Sequence, residues 1–315
     1  MKIKYTFLIL TTTLLSFMVL GAQEIPIEFL NMSLQPNKVE YNKKILENEI
    51  GGITVNHLTL AGDVVKKEHM HEGYKYIYLF IKGKGEVIIN EKVYNIEPET
   101  ILLPNSVLDI SINAIKNDTL HFIKISSELT EQDILDLKEF PKENTENIYF
   151  AKFTDCEAYT EPIKSPNTVS RTIIPNKYIP RIAMGTVETT GPDKVGAHEH
   201  AMLEQLFLGL TDNQVVVFAD NAKINFPAYS ILHIPLGSSH SVEVKKGEKM
   251  YYIWMDFFLD KKGEEWLKTH NPIKKKQKFI PLSVSAMVVY SACWLLKICW
   301  STYFRPVNFI NIKYN

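Results

Sequence analysis

Three histidines and one glutamate are grouped in a way that suits a metal ion. His198 and His200 are separated by one residue, Glu204 follows four residues later, and His240 comes after a turn that contains proline and glycine. On a single β-strand the first three side chains would share a face, because side chains alternate with a period of two. Imidazole nitrogens and a carboxylate oxygen suit a first-row divalent metal and leave coordination positions open. The pattern therefore predicts a reaction centre.

Each of these residues also has an ordinary explanation. A short His-x-His occurs by chance in many chains, and a single histidine is more often a surface or core residue than a ligand. Here the His-x-His, the carboxylate and the further histidine all fall in segments with strand character. Their combination favours a metal site over structural histidines.

The same residues resemble the two characteristic motifs of the cupin superfamily, whose members are small antiparallel β-barrels of the jelly-roll kind. The resemblance implies one divalent transition metal (Mn, Fe, Ni, Cu or Zn) inside a barrel, with four ligands: His198, His200, Glu204 and His240. Two glycines depart from the family pattern. Six residues rather than five separate Gly191 from His198, and Gly209 comes early.

The sequence also contains an internal repeat. Equivalent positions in its two halves keep a nearly constant offset, which is 129 residues from His69 to His198 and 131 from Asp109 to His240. A constant offset with a two-residue insertion indicates duplication. We therefore expect an all-β bicupin, with two tandem jelly-roll (cupin) β-barrels, a short connecting helix and an apolar C-terminal tail.

The expected segments follow from composition and periodicity. Thr130 is placed to cap the connecting helix, and Pro141 begins a polar stretch that predicts the domain boundary. In order, the segments are a signal peptide (1–22), an N-terminal arm (23–50), a first barrel with a degenerate site (51–127), a helical linker (128–147), a second barrel with the metal site (148–258), and a C-terminal helix with an apolar tail (259–315).

The first barrel keeps only part of the ligand set. His69 and His71 remain, and Asp109 stands where the second barrel has its last histidine. Two imidazoles and a carboxylate could hold a metal weakly. We favour an alternative in which this barrel carries no metal and its tyrosines, which alternate between Tyr74 and Tyr78, fill the interior.

The two ends of the chain differ from the barrels. Residues 1–22 have two lysines, a largely apolar run and a small pair ending at Ala22, which is the form of a cleaved secretory signal. Residues 279–300 are apolar and long enough to contact or span a membrane. If the barrels are exported, the lysines that precede this stretch would lie on the outer side of the membrane. Membrane proteins usually place such positive charges on the inner side, so this placement argues against a membrane span. A peripheral helix and a tail altered by a reading-frame change are alternatives.

Composition narrows the function classes. The chain has 315 residues and a net charge of −1, which allows two domains and gives no electrostatic case for nucleic acid. Cys156 is the one cysteine in the predicted globular body, so disulfides do not hold the barrels together.

We therefore expect an exported metal-dependent enzyme acting on a small oxygen-rich metabolite (dioxygenase, hydrolase or isomerase type). The alternative is a non-catalytic ligand-binding or sensing cupin. The resemblance also implies a homodimer formed through outer sheets. The remaining candidates for substrate contact are Gln205, Arg171 and Arg181. We expect Gln205 to face outward and the two arginines to be surface charges. The sequence shows no unambiguous second acid or base near the metal.

Overall fold

The computed structural model describes residues 24–33, 39–62, 64–175, 177–260 and 263. The predicted signal peptide and the apolar stretch 279–300 lie outside these residues. Within the described part of the chain, no helix has the length and apolar character needed to cross a membrane.

The first barrel consists of two facing antiparallel sheets. The larger has the order β11-β8-β5-β10-β3-β2 and the smaller the order β4-β9-β6-β7. Their strands are β2 (Glu40–Ile45), β3 (Ile53–Ala61), β4 (Val65–His69), β5 (Tyr74–Lys82), β6 (Gly85–Ile89), β7 (Lys92–Ile96), β8 (Thr100–Leu103), β9 (Asp109–Ala114), β10 (Thr119–Glu128) and β11 (Tyr149–Lys152).

The second barrel repeats this arrangement. Its larger sheet has the order β1-β19-β16-β21-β14-β13-β12 and its smaller sheet the order β15-β20-β17-β18. The strands are β1 (Ile27–Phe29), β12 (Ala158–Tyr159), β13 (Val169–Ile174), β14 (Ile182–Thr190), β15 (Asp193–His198), β16 (Leu203–Gly209), β17 (Gln214–Ala219), β18 (Ala222–Pro227), β19 (Ser230–Ile234), β20 (His240–Val244) and β21 (Lys249–Phe258).

Strand pairing supports the internal repeat. His69 pairs with Asp109 between β4 and β9, and His198 pairs with His240 between β15 and β20. The same register thus joins equivalent positions in both halves. The predicted fold class, an all-β protein with duplicated jelly-roll units, is confirmed.

The two barrels exchange edge strands. β1 precedes the first barrel in sequence but pairs with β19 of the second, whereas β11 follows the linker and pairs with β8 of the first. Both occupy the same place beside equivalent strands. Pairing therefore crosses the predicted boundaries at residues 50 and 148, which local sequence patterns did not indicate.

Three large hydrophobic clusters and a small fourth one (Ala183, Leu203 and Phe258) form the core of the described residues. The three large clusters differ in position. One lies inside each barrel, and the third lies between the two larger sheets, with residues such as Leu79 and Ile123 on one side and Leu208 and Ile253 on the other. These strands bury both faces, and they accordingly read as nearly continuous apolar runs rather than alternating ones.

The first barrel is filled by large side chains, as the sequence indicated. Tyr76, Tyr78, Phe80 and Phe122 are buried in its cluster. Tyr74 is exposed instead, because it begins β5 at the rim of the sheet.

The linker contains two short helices, α1 (Glu131–Glu139) and α2 (Lys142–Thr145). Thr130 caps α1 as predicted, by accepting a hydrogen bond from the backbone N–H of Asp133 while the Asp133 carboxylate accepts one from the Thr130 N–H. The apolar side chains of α1 are only partly buried, since Ile134 and Leu135 are exposed. Asp133 anchors the helix instead, through a bidentate ion pair with Arg181.

Candidate metal centre

Three of the four predicted ligands converge inside the second barrel. One ring nitrogen from each of His198, His200 and His240 lies within 4.8 Å of the others. The three residues are 7, 4 and 1% exposed, respectively. Such a cluster of imidazoles, shielded from water, is a donor set that divalent transition metals prefer.

Local structure brings these histidines together. His198 ends β15 and His240 begins β20, and the two are direct partners across the ladder. Gly237 adopts a positive φ of 73° in the turn before β20, a conformation that favours glycine. Its N–H donates to the carbonyl oxygen of His200 at 3.0 Å, which ties the turn to the third histidine.

Two backbone contacts set the orientation of the rings. Nδ1 of His198 lies 2.8 Å from the carbonyl oxygen of Gly196, and Nδ1 of His240 lies 3.2 Å from that of Ser238. A carbonyl only accepts hydrogen bonds, so each Nδ1 carries the proton and the lone pair of the neutral ring is on Nε2. Metal-binding histidines are commonly oriented in this way. The three residues therefore fit a divalent transition metal.

The structure does not bring the predicted fourth ligand, Glu204, to this group of three histidines. Its carboxylate accepts from Nε2 of His233 at 2.9 Å, and Nδ1 of His233 lies 2.8 Å from a carboxylate oxygen of Glu49. Leu206, of the same parity as Glu204, packs in the core between the two large sheets. Glu204 thus belongs to a contact between the barrels.

The physical reason is a break in the strand. A register shift falls between Val195 and His198, and residues 199–202 form a turn before β16 begins at Leu203. The interruption at residues 199–202 resets the alternation of side chains, so parity cannot be carried from His198 to Glu204. Gln205, predicted to face outward, is the residue that faces the histidines.

The histidines line a cavity of about 190 Å³. Its polar wall includes Gln205, Asp256, Lys164 and Glu161, and its remaining wall is apolar and aromatic: Tyr159, Ile163, Val187, Val195, Phe207, Val242, Tyr252 and Trp254. This volume lies below the range typical of drug-sized ligand sites. The cavity suits a small molecule.

Asp256 is an ionisable group that the sequence analysis missed. It is the direct partner of Gln205 between β21 and β16, and the Gln205 amide donates to its carboxyl at 2.6 Å. Burial raises the pKa of Asp256 to about 7, although the bond from Gln205 lowers it, and nearby Glu161 raises it further. Asp256 can therefore exchange a proton near neutral pH.

Lys164 and Glu161 form a second pair in the cavity, an ion pair within the segment that joins β12 to β13. Burial lowers the pKa of Lys164, and the charge of Glu161 opposes that effect. The segment is held against β15 by a hydrogen bond from the Gly196 N–H to the Ile163 carbonyl at 2.7 Å.

The other sequence candidates lie elsewhere. Arg171 donates to the carbonyl of Cys156 at 3.1 Å, and Arg181 binds Asp133. Both arginines are structural rather than freely solvated. Cys156 is a partly buried free thiol.

In the first barrel, His69 bonds to Asp109 at 2.8 Å, and its ring lies 5.4 Å from that of His71. All three residues of the predicted degenerate site are exposed. His57 and His121, by contrast, are buried and lie together in the larger sheet of that barrel. His270 lies outside the described residues.

No protein-family model and no curated protein matches the sequence. Solved structures do match the fold. A putative glyoxylate-induced protein from Pseudomonas aeruginosa has a TM-score of 0.58 at 11% identity, covering 71% of this chain and 82% of its own. A cupin 2 conserved barrel domain protein from Leptotrichia buccalis has a TM-score of 0.50 at 16% identity, with coverage of 72% and 92%. The oxalate decarboxylase of Lactobacillus farciminis, solved as a formate complex, has a TM-score of 0.53 at 14% identity, with coverage of 78% and 90%.

These likenesses, together with the duplicated topology, show that the chain has the cupin fold in its two-barrel form. At such identities they establish the fold and leave the reaction open.

Proposed function

We propose that this protein is an exported, metal-dependent cupin enzyme that acts on a small oxygen-rich metabolite in its second barrel. The observation that carries the proposal is the presence of a buried carboxyl, Asp256, in the same small cavity as three convergent imidazoles. A binding module needs no proton-exchanging group beside its metal. Export is supported by the form of residues 1–22.

His198, His200 and His240 would hold one divalent ion of the Mn, Fe, Ni, Cu or Zn group. When bound, such an ion acts as a Lewis acid toward a substrate oxygen. The apolar and aromatic walls exclude water from the reacting centre, which strengthens electrostatic interactions there.

Asp256 would hold or transfer a proton at its carboxyl oxygens, and the Gln205 amide fixes the orientation of that carboxyl. Proton transfer by a side chain supports hydrolytic or isomerising chemistry more directly than dioxygen chemistry.

Asp256→Asn is expected to reduce turnover about 10²- to 10⁴-fold, because the amide cannot exchange a proton. Metal-supplemented protein would be incubated with a panel of small hydroxy-, oxo- and amide-bearing metabolites, and conversion followed by proton NMR. Asp212→Asn, an exposed acid outside the cavity, is the matched control and should convert substrate at the wild-type rate.

Two results would count against an enzyme. If panel compounds bind in the cavity but remain unchanged, the protein is a binding or sensing module. If Asp256→Asn turns over as fast as the control, the carboxyl has no part in the reaction.

A further inference from the structure

We propose that Lys164 anchors a carboxylate group of the substrate, so that the second barrel is selective for small organic acids. This inference rests on the proposed function and narrows its substrate class. It assigns a binding role to a residue that lies outside both sequence motifs.

Lys164 is a buried cation at the wall of the cavity. Its side chain is 6% exposed. Lysine is rarely buried to this extent unless its charge is paired. Its ammonium bonds to Glu161 and donates to the Ser170 hydroxyl at 2.9 Å. An ammonium group has three N–H donors. Among the residues that the structure describes, these two partners leave one N–H donor for an acceptor in the cavity that Lys164 lines.

The segment that carries Lys164 is fixed in place. Ser165 and Thr168, which follow it, both donate to the carboxylate of Asp193 at the start of β15, at 2.5 and 3.1 Å. The Tyr159 ring centroid lies 5.3 Å from the ammonium, a cation–π contact that further restricts its position. A charge held this firmly can act as a fixed recognition point.

The balance of charge in the cavity favours an anion. The charges of Lys164 and Glu161 cancel, and the three imidazoles are neutral when they bind a metal. A divalent ion would then leave a net charge of about +2 with Asp256 protonated, or about +1 with it ionised. An acid with one carboxylate and a second oxygen donor compensates this charge.

The shape of the cavity selects the kind of anion. One wall of the cavity is apolar and suits a short carbon skeleton. It is formed by Val187, Val195, Val242 and Phe207. Recognition of a phosphate group usually takes several charged donors, and the described residues that line this cavity include one lysine and no arginine. The cavity therefore suits a small carboxylic acid better than a phosphate ester.

The test compares glycolate with its neutral analogue ethylene glycol, using metal-supplemented full-length protein and calorimetric titration. Lys164→Met is expected to weaken glycolate binding at least tenfold, while metal content measured by elemental analysis stays unchanged. Ethylene glycol should bind more weakly than glycolate and show no dependence on residue 164. Lys223→Met, an exposed lysine on β18, is the matched control and should bind glycolate as the wild type does.

A second variant changes affinity in the opposite direction. Glu161→Gln removes the carboxylate that competes for Lys164, so glycolate binding should tighten severalfold. This comparison keeps the test decisive if Lys164→Met fails to fold, as judged by circular dichroism.

Equal glycolate affinity in Lys164→Met and wild type, or no glycolate binding to metal-loaded wild type, would overturn the assignment. If inorganic phosphate bound more tightly than glycolate, and this binding depended on Lys164, the substrate class would be phosphates rather than carboxylic acids. Each of these results leaves the metal centre standing, whereas a wild type that takes up no metal would contradict the proposed function itself.

Discussion

Replacing Arg181 with methionine is expected to lower the free energy of unfolding by about 3–5 kcal/mol, because it leaves a buried carboxylate without its partner. Nε and Nη2 of Arg181 each donate to a different oxygen of Asp133 at 2.8 Å. The Asp133 side chain is 1% exposed and that of Arg181 21%. Burial alone would raise the pKa of Asp133, but the hydrogen bonds that its carboxylate accepts from Arg181 and Thr130 lower it below its usual value. The pair therefore fixes the linker helix to the second barrel.

Urea denaturation of four variants would measure this effect: Arg181→Met, Asp133→Asn, the combination of these two changes, and Arg171→Met. Arg171→Met is the matched control and should cost about 1 kcal/mol, since Arg171 donates to a backbone carbonyl rather than to a charge. Asp133→Asn combined with Arg181→Met should cost less than the sum of the single changes, because no charge is left buried. Equal losses for Arg181→Met and Arg171→Met would show that the pair contributes little.

Acidification from pH 6.5 to pH 4 is expected to destabilise the first barrel through two buried histidines. Nε2 of His57 lies 3.3 Å from Nδ1 of His121, and the Thr59 hydroxyl lies 3.1 Å from the same Nδ1. Burial lowers the pKa of each histidine to about 4. Nearby charges add to the effect of burial. The charges of His121 and Lys43 lower the pKa of His57 further. The charge of Lys82 lowers the pKa of His121, against a weaker, opposite effect of Asp118.

The sign follows from proton uptake. In the unfolded chain these histidines bind protons below about pH 6.5, whereas in the folded chain they stay neutral until about pH 4. The unfolded state thus binds more protons across this interval, and stability falls as pH falls. A difference of 2.5 pKa units corresponds to roughly 3 kcal/mol for each histidine as an upper value.

Denaturation at pH 7, 5.5 and 4.5 would test this dependence. The double variant His57→Asn, His121→Asn cannot take up these protons, so its stability should vary less with pH than that of the wild type. A double variant with the same pH slope as the wild type would assign the acid sensitivity to other groups. The comparison of slopes is informative even if the variant is less stable at pH 7.

Features encoded by local spacing could be predicted from the sequence. The offset between His69 and His198 revealed the duplication, and the His-x-His pattern with a later histidine located the ligand cluster. Thr130 marked the start of the linker helix. Each of these signals depends on residues near one another in the chain or on a regular repeat.

Features that depend on long-range pairing could not be predicted in this way. Asp256 meets Gln205 only because β21 pairs with β16, 51 residues apart in sequence. One local signal was available, since Asp256 shares its parity with Tyr252 and Trp254 on a strand that is otherwise apolar and aromatic after Lys249. An acid at such an inward position indicates a functional group. The exchange of β1 and β11 between barrels left no such signal.

Glu204 shows the limit of parity arguments. The alternation rule holds within one uninterrupted strand, and the turn at residues 199–202 separates His198 from Glu204. The family resemblance implied the glutamate as a ligand, whereas the structure directs it to His233 and brings Gln205 to the cavity.

Metal content, measured by elemental analysis of folded protein purified without added metal, tests the central claim most directly. The wild type and Glu204→Gln should each hold about one equivalent of a divalent transition metal, and His240→Ala should hold almost none. This outcome would assign the site to three histidines rather than to the three-histidine, one-glutamate set. A wild type without metal, or a His240→Ala protein with a full equivalent, would contradict the account.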